Sequence, residues 1–334
     1  MINLNHYIKA KSVATTYTTH KRDLNGTPKK QHFFVRLSLC EGYGDILSDQ
    51  RTKQGLFEFT IKDLSRRLGM SWDEMWKESI EKDEYGYKKK IAKVDDENVK
   101  FYFGMTEILG EVGILLRNGI ELPTGVEKII TRRNLLKMIE IANNDTLMRE
   151  DEATTYVNGI GEIICLKWLK NSLVPIGWDT INECYKKIWR FYIETVGKSQ
   201  EWMRSAHKKH NYIYGLTHCV INITNFYTRF IGNDEVWMNE ITETKNILIN
   251  LIDSQRLTLY KAFNDDTLAE MLLVVKLCCG GDPNCPEYFT ALDALSMRFN
   301  SKKLIFNEHK RDSFKEELLA NEHTNILYVL NVLR

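Results

Sequence analysis

Residues 265–279 read DDTLAEMLLVVKLCC, and this stretch decides the fold class. A helix over it carries leucine, valine, methionine or cysteine on nearly every side, so it has to be enclosed by protein. Four other stretches have the same character: TEILGEVGILL from residue 106, GEIICLKWL from 161, THCVINITNF from 217 and HTNILYVLNVL from 323. A polar residue stands near the beginning of each, namely Glu107, Glu162, His218, Glu270 and His323, at intervals of 55, 56, 52 and 53 residues. A period near 54 is that of a repeated helical hairpin and is too long for a coiled coil or a short solenoid unit.

Between the apolar stretches lie segments of a second kind, over residues 126–147, 178–196, 235–263 and onward from 287. Their apolar residues recur at three and four spacing with charges between them, which is the pattern of a half-solvated helix. Hairpins of one enclosed and one amphipathic helix close into a ring with the enclosed helices inside. The expectation is therefore an all-α chain of about five to six helical hairpins, built as an α/α toroid or as an open helical-hairpin superhelix. Periodicity does not separate the two.

Composition agrees. Five prolines and 19 glycines in 334 residues are too few for a turn-rich β sandwich, and 43% hydrophobic with 27% charged residues is the balance of a folded globular chain. A formal charge of +1, from 46 basic and 45 acidic residues, gives no net field toward nucleic acid. The first residues, MINLNHYIKAKSVATTY, contain no apolar leader, and no stretch reaches the length of a membrane span. The seven cysteines form no CxxC pair and sit mostly in apolar runs, which predicts buried free thiols at Cys165, Cys219, Cys278 and Cys279 in a cytoplasmic protein. Residues 1–100 are set apart as an N-terminal segment of mixed or helical structure, with QHFFVRLSL as a strand or short helix and residues 65–82 as an outer helix, and residues 101–334 as the repeat.

In a ring the inner helices run parallel, so their amino termini gather at one end of the central cavity. Glu107, Glu162, His218, Glu270 and His323 would face one another there, where unpaired N–H groups favour anions. Such a set suits acid–base work or a divalent cation, and His218, Glu270 and His323 are the candidate catalytic residues. Capping competes with this for the glutamates: Thr267-Leu-Ala-Glu270 has the form of a capping box, and Gly104 and Gly159 precede Glu107 and Glu162 by three residues. Tyr212, Tyr214, Phe226 and Tyr227 are the aromatics nearest the cavity in sequence. His207 and His210 form an HxxH pair read as an exposed basic turn, and the CC-x5-C group at 278–285 matches no zinc pattern. No phosphate-binding loop, HExxH, GxSxG or dinucleotide fingerprint occurs.

The phrases GLTHCVINITNF, DDTLAEMLLVVKLCC and EHTNILYVLNVL resemble an uncharacterised family of bacterial helical proteins. In that family a Thr-His pair opens one apolar helix, an acidic phrase ending in Ala-Glu opens the next, and a His-Thr phrase opens the last. The resemblance covers roughly the last 130 residues. It implies an α/α toroid and picks out Thr217, His218, Asp266, Glu270, His323 and Thr324, and it departs at Asn225, where the family carries an acid. The functional expectation is a small-molecule- or peptide-binding protein, with enzymatic activity left open, and with no nucleic-acid or membrane partner. A non-catalytic helical scaffold is the alternative.

Overall fold

The structure is a computed structural model that describes residues 2–20, 28–48, 50–81, 97–144, 153–198, 206–232, 234–255 and 262–334. The described residues form fifteen α-helices. In chain order these are α1 (Leu4–Thr19), α2 (Pro28–Leu37), α3 (Gln50–Arg67), α4 (Trp72–Glu81), α5 (Glu97–Arg117), α6 (Val126–Ile129), α7 (Arg132–Ala142) and α8 (Ala153–Leu169). There follow α9 (Trp178–Lys198), α10 (Ala206–Ile223), α11 (Met238–Ser254), α12 (Asp265–Cys278), α13 (Pro286–Ser296), α14 (Phe314–Ala320) and α15 (Glu322–Leu333). Extended pairing among the described residues is limited to one bridge, Asn300 with Ile305. No described helix is long and apolar enough to cross a membrane.

The chain divides into two compact units, one of Met1–Phe59 with Thr224–Arg334 and one of Thr60–Ile223. In the second unit α5, α8 and α10 pack side by side in chain order, with α7 and α9 against α8, α9 against α10, and α4 against α5. The α9 pattern explains its place: Ile181, Cys184, Tyr185, Ile188, Trp189, Tyr192 and Val196 are buried along one face while Arg190 and Glu194 are exposed. In the first unit α12 is enclosed by α11, α13 and α15, and α15 packs against α1 and α2, so the first helices of the chain cover the last. Leu272, Leu273, Val274 and Val275 are wholly buried in α12, and each such side chain contributes ~1.5–3 kcal/mol relative to exposure. The segment left open between strand and helix is the helix α2.

Several boundaries differ from the expectation for local reasons. The stretch 126–147 is broken into α6 and α7, because Ile130 leaves the helix and Thr131 caps a new one by accepting from the Asn134 N–H at 3.2 Å; residues 145–147 lie outside the described ones. Residues 65–81 divide between the end of α3 and α4, and residue 82 lies outside the described ones. Thr267-Leu-Ala-Glu270 is not a capping box: Asn264 caps α12, its side chain accepting from the Thr267 N–H at 2.8 Å, and Glu270 lies in the second turn. Gly104 and Gly159 are not helix starts either. Both lie inside helices, where a Cβ would come within 2.7 Å of the Trp72 ring and 2.5 Å of the Tyr102 ring. Glu107, Glu162 and His218 therefore sit about three turns into α5, α8 and α10, beyond the reach of a helix N-terminus, and only His323 occupies a first turn.

Candidate functional site

In the first unit, Asp266 and Glu270 are four residues apart on α12 and so share one face. Against that face α15 sets His323 and Thr324. The His323 Nδ1 lies 2.7 Å from Asp266 Oδ1, and its Nε2 lies 3.7 Å from Glu270 Oε2. Thr324 Oγ1 donates to the same Asp266 oxygen at 3.1 Å. Glu270 has no exposed surface, whereas the His323 side chain is 33% exposed. Burial alone would discharge the imidazole. The charge of Asp266, its hydrogen bond and the charge of Glu270 overcome this and raise the His323 pKa from 6.5 to about 9.

Two further side chains reach this cluster. Asn225, Phe226 and Tyr227 all have left-handed backbones, at φ 52, 53 and 69°, a strained conformation for residues with side chains. The Thr224 hydroxyl steadies it by accepting from the Tyr227 N–H at 2.9 Å. Tyr227 is thereby buried within the field of Glu270, Asp266 and Glu322, and burial pushes its phenol well above its ordinary pKa. The Arg36 guanidinium on α2 lies 4.8 Å from the centre of the Tyr227 ring.

The second unit repeats part of this arrangement with different charge. Asn158 and Glu162 are four residues apart on α8, and His218 on α10 brings Nδ1 to 2.7 Å from Asn158 Oδ1. That amide oxygen also lies 3.3 Å from Asn222 Nδ2. Since an amide oxygen only accepts, Nδ1–H donates to it. The Tyr214 ring lies 5.3 Å from the imidazole, tilted by 30°. Glu162 is buried opposite Arg117, whose Nη2 is 4.0 Å from Oε2, and that oxygen accepts no hydrogen bond among the described residues. Burial raises the Glu162 pKa to about 7, against the pull of Arg117. The glycines of α5 make the room: a Cβ at Gly113 would stand 2.9 Å from Arg117 Nη2 and 3.3 Å from Glu162 Oε2.

No family model, curated protein or solved structure matches this chain. The site has to be read from its own geometry.

Of the nine residues singled out in the sequence, the first unit brings together Asp266, Glu270, His323 and Thr324; in the second, His218 meets Tyr214, while Glu162 faces Arg117. Thr217 lies beside His218 in sequence but donates to carbonyls of its own helix, Ile213 and Tyr214, each at 3.0 Å. Glu107 belongs elsewhere. It lies 3.6 Å from Arg67, which also meets Asp63 at 3.0 Å and Glu111 at 3.2 Å. In that cluster burial lifts Glu111 to about 8 although Arg67 opposes it.

No group of three His, Cys, Asp or Glu side chains among the described residues is placed to hold a metal ion, and the side chains of His207 and His210 lie outside the described ones. All seven cysteines are free; Cys165, Cys219 and Cys278 are buried as expected, while Cys279 is half-exposed. Reading the sequence missed Arg36, Arg117, Asn158 and Asn222, while Tyr227 was named there only as an aromatic near the cavity. Asn158 had a usable signal, since Asn158-x3-Glu162 has the spacing of Asp266-x3-Glu270. Arg36 had none, being far from α12 and α15 along the chain.

Proposed function

We propose that this protein binds a small molecule and moves a proton on it with His323, which Asp266 holds at Nδ1 and Glu270 faces at Nε2. The observation that carries this reading is an imidazole bracketed by two carboxylates, with Glu270 wholly buried. Two enclosed helices pack most cheaply through apolar residues, and burying ionisable groups between them costs free energy that packing alone does not require. Such groups cluster where a pKa has to be set for a task. A held Nδ1 fixes the ring and leaves Nε2 to give or take the proton.

The fold proposed around this site is an α/α toroid of about five to six hairpins, related to the bacterial family resembled in sequence. Its support is the order of packing inside each unit: α5, α8 and α10 in one, α12, α15 and α2 in the other, each row backed by amphipathic helices. A divalent metal is not part of this reading.

The test is a thermal-shift screen of metabolites against wild type, His323→Gln and Asp266→Asn, with hits assayed for turnover. A hit that wild type turns over and His323→Gln does not, while both still bind it, supports the reading. Hits turned over equally by both sink it. A second reading, a non-catalytic scaffold, is favoured by a groove of 880 Å³ between α7 and α9, lined by Ile139, Thr180, Lys187, Arg190 and Phe191. It requires partner binding that survives His323→Gln and fails on Arg190→Glu.

A further inference from the structure

We propose that Arg36 is the oxyanion-binding group of the His323 site, so that the ligand is a small molecule carrying a carboxylate or phosphate group. This deepens the proton-transfer reading and rests on it. Arg36 is only 9% exposed, yet among the described residues its guanidinium makes neither a hydrogen bond nor an ion pair; it lies over the ring of Tyr227. Stacking uses the flat face of a guanidinium and leaves its five N–H donors, which point outward in the plane, for an acceptor. None of the Arg36 nitrogens is among the enclosed atoms without a partner, so these donors open to solvent, and an oxyanion at that opening accepts two parallel bonds.

The neighbouring carboxylates do not take this role. Asp266 is engaged by His323 and Thr324, and Glu270 faces the other imidazole nitrogen. His323 offsets their charge, while that of Arg36 is committed to no carboxylate. Arg36 is nevertheless near enough that its charge lowers the His323 pKa and acts on Tyr227. The strained turn at 225–227 fits the same purpose, since it fixes the ring on which the guanidinium lies. An anion bound at Arg36 would sit beside the imidazole that transfers the proton.

The experiment titrates wild type, Arg36→Gln and His323→Gln with sodium phosphate and with sodium acetate, against sodium chloride at equal ionic strength, by thermal shift. Saturable stabilisation of wild type is expected, kept largely in His323→Gln and ~10–100-fold weaker in Arg36→Gln. Whichever anion binds tells a phosphate ligand from a carboxylate one. Equal responses of wild type and Arg36→Gln overturn the proposal, as does the absence of any saturable response in wild type. Should Arg36→Gln not fold, the His323 titration in wild type decides by NMR. A bound oxyanion cancels the Arg36 charge and raises the His323 pKa, and an unchanged pKa at saturating anion overturns the proposal. Oxyanion binding with His323 titrating as a free imidazole refutes proton transfer while supporting Arg36. A raised His323 pKa with no oxyanion binding does the reverse.

Discussion

Replacing Asp266 by asparagine keeps the size of the side chain at the second position of α12 and removes the charge that holds His323 Nδ1 at 2.7 Å. The His323 pKa in the folded protein is about 9, against 6.5 when unperturbed. A rise of that size corresponds to roughly 3 kcal/mol of preference for the charged imidazole. The ring is one-third exposed, so solvent screening reduces this to ~1–2 kcal/mol. A raised pKa means that the folded state holds the proton more tightly, so the contribution is complete below pH 6.5 and is lost as pH climbs through 9. Urea unfolding of wild type and Asp266→Asn, at intervals from pH 6 to pH 10, gives the difference between the two proteins. That difference removes other titrating groups, among them Lys276, whose pKa is lowered to about 8 by burial. Wild type should be ~1–2 kcal/mol the more stable at pH 6, with the gap closing by pH 10. A gap that stays flat across this range, or a His323 resonance in wild type titrating near 6.5, refutes the assignment.

Glu162 has a folded pKa of about 7 against 4.5 for the free side chain, so wild type loses stability as pH rises from 4.5 through 7; Glu162→Gln should lose that slope in the same unfolding measurement. The Lys276 Nζ donates to the carbonyls of Leu330, Asn331 and Arg334 at 3.4, 2.8 and 3.0 Å, closing the last turn of α15. Lys276→Met removes all three bonds and should lower the unfolding free energy by ~1–3 kcal/mol, and an unchanged urea midpoint would count against this role. Gly215→Ala places a Cβ 2.0 Å from the buried Tyr192 ring; it should destabilise by ~1–3 kcal/mol, with Tyr192→Leu recovering part in a double-mutant cycle. A thiol-reactive dye should label Cys279 and Cys285 in the native protein and the other five cysteines only after unfolding.

The enclosed helices were legible because α12 and its counterparts are apolar on every side, a pattern that has no other soluble solution. Their boundaries were not. Thr267 and Glu270 have the spacing of a capping box, but Asn264 precedes them and takes the cap, so a local motif was outcompeted by its neighbour. Gly104 and Gly159 look like helix punctuation, whereas their role is to admit the rings of Trp72 and Tyr102, a property of neighbours the sequence does not show. The pairing of His323 with Asp266 joins residues 57 apart, about one repeat interval, and so was within reach. Arg36 meets Tyr227 across 191 positions of chain, and neither carries a local pattern that points to the other.

The two histidines, each held through Nδ1 by a side chain four residues ahead of a buried glutamate, differ at the holding atom: an amide at Asn158, a carboxylate at Asp266. Each cluster is thus a built-in control for the other, measured in one sample at one pH and one temperature. Exchanging the two holders, with Asn158→Asp in one protein and Asp266→Asn in another, swaps the electrical character of the sites while leaving every helix where it is. Whatever property follows the carboxylate belongs to the charge, and whatever stays behind belongs to the surroundings.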